Sequence, residues 1–163
     1  MKTPFWLKSV LFVVAASFMG LFILPTEVEN SRWLKVEGDF ETIWSHVSTA
    51  DGWEKWNSNE QALKDEGWLS GGKIKVSDSN PKKWTVQYVI EDALDSGTLQ
   101  LQPLPEDKGA WVKWNHISKT GYSPMVRLKH LSKKQKGALS MDRALKRLST
   151  LIQNDAAKQT END

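Results

Sequence analysis

The sequence predicts an α+β domain in which a curved antiparallel sheet is covered by one long C-terminal helix. Three observations lead there. Short stretches of alternating apolar and polar residues follow one another between Gly, Pro, Asn and Asp turns, the pattern of hairpin-linked strands. A long amphipathic segment over residues 132–154 carries Leu139, Met141, Leu145, Leu148 and Ile152 at helical spacing. The chain also holds nine tryptophans, all but Trp6 beyond the leader, enough aromatic surface for a wide core or a ligand cavity.

At 163 residues there is room for one domain and a leader. The 39% hydrophobic and 26% charged content is that of a folded domain. A formal net charge of +2 makes no case for nucleic acid. The absence of cysteine excludes disulfides, thiolate metal sites and cysteine nucleophiles.

Residues 5–24 are predominantly apolar, with Lys8 the one charge. As a single helix they would span about 30 Å, the thickness of a bilayer core, and Lys8 could snorkel to the interface. Lys2 and Lys8 lie before or near the start of the span, and Glu27 and Glu29 follow it. The positive-inside rule then puts the N-terminus in the cytoplasm and the rest on the outer, periplasmic or extracellular side. A cleaved signal peptide competes. Cleavage at Ala15, Ala16 and Ser17 would leave an apolar region of only about seven residues, and residues 18–24 offer no small-x-small site. The expected organisation is a transmembrane anchor over 1–25, a linker over 26–30, a folded domain over 31–154 and a disordered polar tail over 155–163.

Residues 31–37 alternate as a first strand, with Leu34 and Val36 on one side. Phe40, Ile43, Trp44 and Val47 form the apolar stripe of a helix over 40–50, with Asp39 placed to cap it and Gly52 to close it. Trp53 and Trp56 then stand in a polar turn, either plugging one end of the core or lining the mouth of a cavity. A second short helix over 60–65 and a glycine-rich turn over 67–72, with Trp68 folded back, follow. Strands are expected over 73–77, 82–91, 98–102 and 110–118, with turns at Asn80-Pro81, Asp95-Ser96-Gly97 and 103–109. In 82–91, Trp84, Val86, Tyr88 and Ile90 share the inner face; in 110–118, Val112, Trp114 and His116 do. Residues 122–128 form a last strand or an extended loop. A curved sheet cannot touch a straight helix along its whole length, so this order tends to leave a gap between the two.

That order is accompanied by particular residues: Leu24-Pro25 before the first strand, Phe40-Glu41-x-Ile43-Trp44, Trp53-x-x-Trp56-Asn57, and Gly137 followed by Met141-Asp142-Arg143-Ala144-Leu145-x-x-Leu148. Together they resemble the START-like (SRPBCC) superfamily, in particular its polyketide cyclase/dehydrase-type branch and the membrane-anchored members of it. The likeness covers about residues 20–153. Members often begin the first helix with Ala-Pro-x-Glu, which Gly38-Asp39-Phe40-Glu41 replaces here. The resemblance implies a helix-grip fold and the binding of apolar molecules in a cavity between sheet and long helix. Only some members are enzymes, so the fold leaves the function open.

The chemistry-bearing residues are few. His46, His116 and His130 have no metal-ligand spacing to one another or to paired carboxylates. His116 points inward by strand parity, as a hydrogen-bonded core histidine, a polar anchor for a ligand or an acid/base. Tyr88 points inward too, to orient a ligand or to satisfy a buried carbonyl. Gly67-x-x-x-x-Gly72-Lys73 mimics a phosphate loop, but Ile74 stands where a Ser or Thr is needed and a strand follows instead of a helix. The nucleophile elbow of the hydrolases is absent. Glu91-Asp92 and Glu106-Asp107 sit at strand ends and turns, as solvated charge. Lys133, Lys134, Lys136, Arg143, Lys146 and Arg147 give the last helix a basic face, either solvated or set against anionic headgroups.

The expected function is that of a membrane-anchored domain binding an apolar small molecule or lipid in the sheet–helix cavity. Trp56, Trp84, Tyr88, Trp114 and His116 are the expected lining, with Leu145 and Leu148 opposite from the long helix. No metal, cofactor, catalytic constellation or nucleic-acid partner is expected. A cyclase/dehydrase-type enzyme using His116 and Tyr88, and a membrane-tethered interaction domain without catalysis, are the alternatives.

Overall fold

In the computed structural model, residues 5–57, 74–90, 95–121 and 123–160 are described. The expected helix at 60–65, the glycine-rich turn with Trp68, and the Glu91-Asp92 pair lie outside them. The elements are α1 (Phe5–Phe22), β1 (Glu27–Glu37), α2 (Phe40–Ser48), α3 (Ala50–Asn57), β2 (Ile74–Asn80), β3 (Thr85–Ile90), β4 (Asp95–Pro103), β5 (Gly109–Lys119) and α4 (Pro124–Thr160). The strands form an antiparallel sheet in the order β1-β5-β4-β3-β2, and α4 packs on it, closest to β1. This is the α+β architecture that the sequence predicts.

Two strands begin well before their expected starts. β1 pairs with β5 from Glu27↔Lys119 to Glu37↔Gly109, so residues 27–30 are strand and not linker. Val28 and Asn30 continue the inward parity of Val36, and both are buried. β4 pairs with β5 from Asp95 onward, so Asp95-Ser96-Gly97 is strand and not turn. Cross-strand pairing overrides the turn preference of those three residues.

Asp39 caps α2 as expected. Its Oδ2 accepts from the Thr42 amide at 2.7 Å and from the Thr42 hydroxyl at 2.8 Å. Trp53 and Trp56, however, sit on a second helix, not in a turn. Gly52 lies inside α3, where a side chain would collide with the His46 carbonyl. This close approach lets the tryptophans finish α2. Trp53 Nε1 donates to the Val47 carbonyl at 2.6 Å and Trp56 Nε1 to the His46 carbonyl at 3.1 Å, two groups of the kind a helix end leaves unpaired.

α4 begins at Pro124, so residues 124–128 are helical and not strand or loop. A proline at the first helical position gives up no hydrogen bond and presets φ. The far end runs to Thr160, into the segment expected to be disordered, and Asp155 on it meets His46 Nε2 at 3.0 Å. α1 has 18 residues and so rises about 27 Å, against a bilayer core of about 30 Å. Among the described residues no helix is long and apolar enough to cross a membrane.

The core fills the space between sheet and α4. Trp53 packs on Trp56, Tyr88 and Trp114 with ring centroids 4.8, 4.9 and 5.7 Å apart. Met141, Leu145 and Leu148 close over this cluster from α4, all buried. Replacing Asp39 by Ala removes both cap bonds and is expected to lower stability by about 1 kcal/mol, read as a shift of the denaturant midpoint with an unchanged slope.

Candidate functional site

Strand register builds the site. Tyr88 on β3 lies opposite Gly97 on β4, Gly97 lies opposite His116 on β5, and His116 lies opposite Asn30 on β1. Tyr88 and His116 are therefore two strands apart, about 9.5 Å of sheet. Yet the Tyr88 hydroxyl is 2.7 Å from His116 Nδ1. The bond passes over Gly97, where a Cβ would strike the Tyr88 hydroxyl and the Asn115 carbonyl.

The line of polar groups extends both ways. Trp114 Nε1 donates to the Tyr88 hydroxyl at 2.7 Å. An indole N–H only donates, so the phenol oxygen accepts, and its own O–H donates to His116 Nδ1 in the tautomer that leaves Nδ1 bare. In the neutral ring the other nitrogen, Nε2, then carries hydrogen; it lies 3.8 Å from Asp95 Oδ2. Asp95 Oδ1 in turn accepts from the Ser118 hydroxyl at 2.7 Å. All five side chains are buried, His116 completely. Burial pushes the Tyr88 hydroxyl well above its ordinary range; the Trp114 bond works against this, and the Asp95 charge adds to it. At neutral pH Tyr88 is thus a fixed proton donor, not a base. The arrangement presents an oriented row of dipoles at one end of an apolar interior.

Of the residues singled out in the sequence, Tyr88, Trp114 and His116 come together in this line. Trp56 adjoins Trp114 at 5.7 Å, and its carbonyl accepts from Arg147 Nε at 2.8 Å. Leu145 and Leu148 face the cluster from α4. These six side chains are each at most 1% exposed and packed to contact. Trp84 stands apart. It ends the turn before β3 with a left-handed φ of 50°, which takes it out of strand parity with Tyr88. There it packs edge-on to Phe40 and Trp44, with centroids 4.6 and 5.3 Å away. Sequence reasoning missed Asp95, Gly97, Ser118 and Asn30. The inward parity of Leu99 and Leu101, continued backwards, reaches Gly97 and Asp95, and that of His116 reaches Ser118.

None of the seven residues expected to line a cavity borders the two grooves at the β1 edge of the sheet. A groove of about 790 Å³ runs between β1 and α4, lined by Asn30, Arg32, Lys134, Gln135, Ala138 and Leu139 among others. A second groove of about 430 Å³, reaching Pro25 and Glu27, shares Leu131 and Lys134 with it. Arg32 Nε pairs with Asp142 Oδ1 at 3.3 Å. Among the described residues, no group of three or more His, Asp or Glu could hold a metal ion.

Two outcomes follow from this geometry. Gly97→Ala is expected to cost roughly 1–3 kcal/mol by overpacking and to displace the Tyr88–His116 bond, seen as a changed His116 ring signal in NMR. The raised Tyr88 hydroxyl makes stability pH-dependent. Its contribution is intact below about pH 10, the unfolded value, and is lost as pH rises beyond it, because the unfolded chain releases that proton first. In an alkaline titration followed by tyrosinate absorbance, no more than one of the two tyrosines is expected to ionise before the chain unfolds.

No protein-family profile and no curated protein matches the chain. Several solved structures do. An X-ray structure of a protein from Mesorhizobium loti superposes with a TM-score of 0.50 at 14% identity, covering 78% of this chain and 98% of that one. A solution structure of a Bacillus halodurans protein gives 0.48 at 12% identity, covering 78% and 99%. An uncharacterised protein from Bacillus thuringiensis gives 0.44 at 16% identity, covering 77% and 98%. The likeness to the Mesorhizobium loti structure is one of fold, an α+β sheet covered by a helix.

Proposed function

We propose that the chain is a membrane-anchored domain of the START-like, helix-grip kind that binds an apolar small molecule or lipid between its sheet and its long helix. The observation that carries this is the β1–α4 groove, which opens onto Asn30, the register partner of the buried His116. Leu131, Ala138 and Leu139 offer an apolar wall to a ligand tail, and Arg32, Lys134 and Gln135 offer polar contacts to a headgroup. Burying about 300 Å² of apolar ligand surface would contribute about 7 kcal/mol before the cost of immobilisation. The aromatic cluster of Trp53, Trp56 and Trp114 closes the opposite end. Tyr88 and His116 form the polar floor behind Asn30. A cyclase or dehydrase role is less favoured, because the side chains it would use are 1% and 0% exposed.

Anchoring rests on α1. Val10 and Phe12 are both exposed and stand about 200° apart around the helix, so no single protein surface could cover them. Lys2 and Lys8 on one side and Glu27 and Glu29 on the other orient the N-terminus to the cytoplasm and the domain outward.

A photoactivatable fatty acid, added to membranes that carry the full chain, tests the binding site. Crosslinks are expected within residues 28–32 and 131–139. Gln135→Trp, which fills the groove from an exposed position, is expected to reduce them at least tenfold. Crosslinks confined to α1, or a yield unaffected by Gln135→Trp, would reject the groove as the binding site.

A further inference from the structure

We infer that the first two turns of α4 are a second membrane contact, docking the domain on anionic lipid headgroups beside the end of α1. This inference rests on the proposed anchoring of α1. Met125, Val126, Leu128 and Leu131 are 68, 41, 45 and 41% exposed, an unusual run of large apolar side chains at the start of a surface helix. Met125 and Leu128 point away from the core, since Arg127 between them points inward and is buried.

Position identifies the occupant. Arg127 binds the end of the leader: Nη1 donates to the Leu24 carbonyl at 3.0 Å and Nε to the Gly121 carbonyl at 3.0 Å. The apolar run is thereby held next to the point where α1 would leave the bilayer. α1 alone rises about 27 Å, short of a typical core, and a short span draws its flanking residues into the interface. Ile23, just past the end of α1, is 84% exposed.

Charge agrees with position. Between Pro124 and Met141 the chain has five basic residues, Arg127, Lys129, Lys133, Lys134 and Lys136, and no acidic one; the first carboxylate is Asp142. An apolar patch flanked by lysines on a helix is the composition of an interfacial segment on an anionic surface. With Arg127 occupied in the fold, the exposed Lys134 and Lys136 remain for headgroups. A second copy of this chain would gain less from such a patch, because two such lysine-rich faces repel each other.

The chain has no cysteine, so single labels can be placed at will. Full-length Met125→Cys, Leu128→Cys, Val14→Cys and Gln102→Cys variants, spin-labelled in vesicles of phosphatidylcholine and phosphatidylglycerol, report depth through collision with oxygen or with a water-soluble nickel chelate. Labels at 125 and 128 are expected to collide with oxygen in preference to nickel, as at 14, while 102 shows the reverse. Replacing phosphatidylglycerol by phosphatidylcholine is expected to shift 125 and 128 toward water and leave 14 unchanged. Labels at 125 and 128 as wet as 102, with 14 in lipid, would overturn the second contact and leave the anchor standing. A wet label at 14 would overturn the anchor and this inference with it. Spin–spin broadening between 125 labels of separate chains would assign the patch to a dimer instead and overturn the lipid contact.

Discussion

A straight helix laid on a twisted sheet meets it over part of its length and diverges from it elsewhere. The packing of this chain depends on filling that wedge. Trp53, Trp56, Trp114 and Tyr88 do so as a single aromatic cluster, each ring within 7 Å of another. Such a ring removes about 150–250 Å² from water, roughly 4–6 kcal/mol of transfer free energy apiece. The cluster holds only because α3 brings two of its members in at a fixed angle. Their indole N–H groups are anchored to the last carbonyls of α2, so the same two side chains fill the core and terminate a helix.

The second constraint is a missing side chain. Gly97 sits in the central strand, where glycine is ordinarily unfavourable for lack of packing and loss of chain entropy. Here the empty position lets Tyr88 reach His116 across β4, and the bond ties β3 to β5 through their side chains as well as through the backbone of the strand between them. The donors and acceptors run in one direction, Trp114 to Tyr88 to His116, with Asp95 turned toward the far side of the ring and held by Ser118.

Much of this was legible in the sequence because it follows from parity and spacing. The inward faces of Tyr88, Trp114 and His116, the Asp39 cap and the long closing helix all come from period-2 and period-3.6 patterns. What was not legible came from partners distant in sequence. Asp95-Ser96-Gly97 has the composition of a turn, and only the ladder to β5 makes it a strand. Gly52 reads as a helix stop until α3 is seen packed on the His46 carbonyl. Trp84 follows strand alternation in the sequence and leaves it in space, because the turn that precedes β3 ends in a left-handed residue. Trp53 and Trp56, open in the sequence between plug and cavity mouth, are each 1% exposed and bonded to α2 carbonyls, contacts that no local pattern carries.

The interior is thereby asymmetric. Its α3 side is closed by aromatic rings, tied down through α2, Arg147 and the His46–Asp155 contact. Toward β1 the sheet carries Asn30, His116, Asp95, Ser118 and Thr120 as buried polar residues, and Asn30 among them borders the β1–α4 groove. A rigid closed end and a polar open end are different mechanical environments for the same helix. Under the proposed function, ligand would be accommodated at the open end by side chains of β1 and α4 alone, without disturbing the aromatic plug. That end also adjoins α1, through Arg127 and Leu24, so under the same proposal a lipid leaving the bilayer beside α1 would pass Pro25 and Leu131 on its way into the groove.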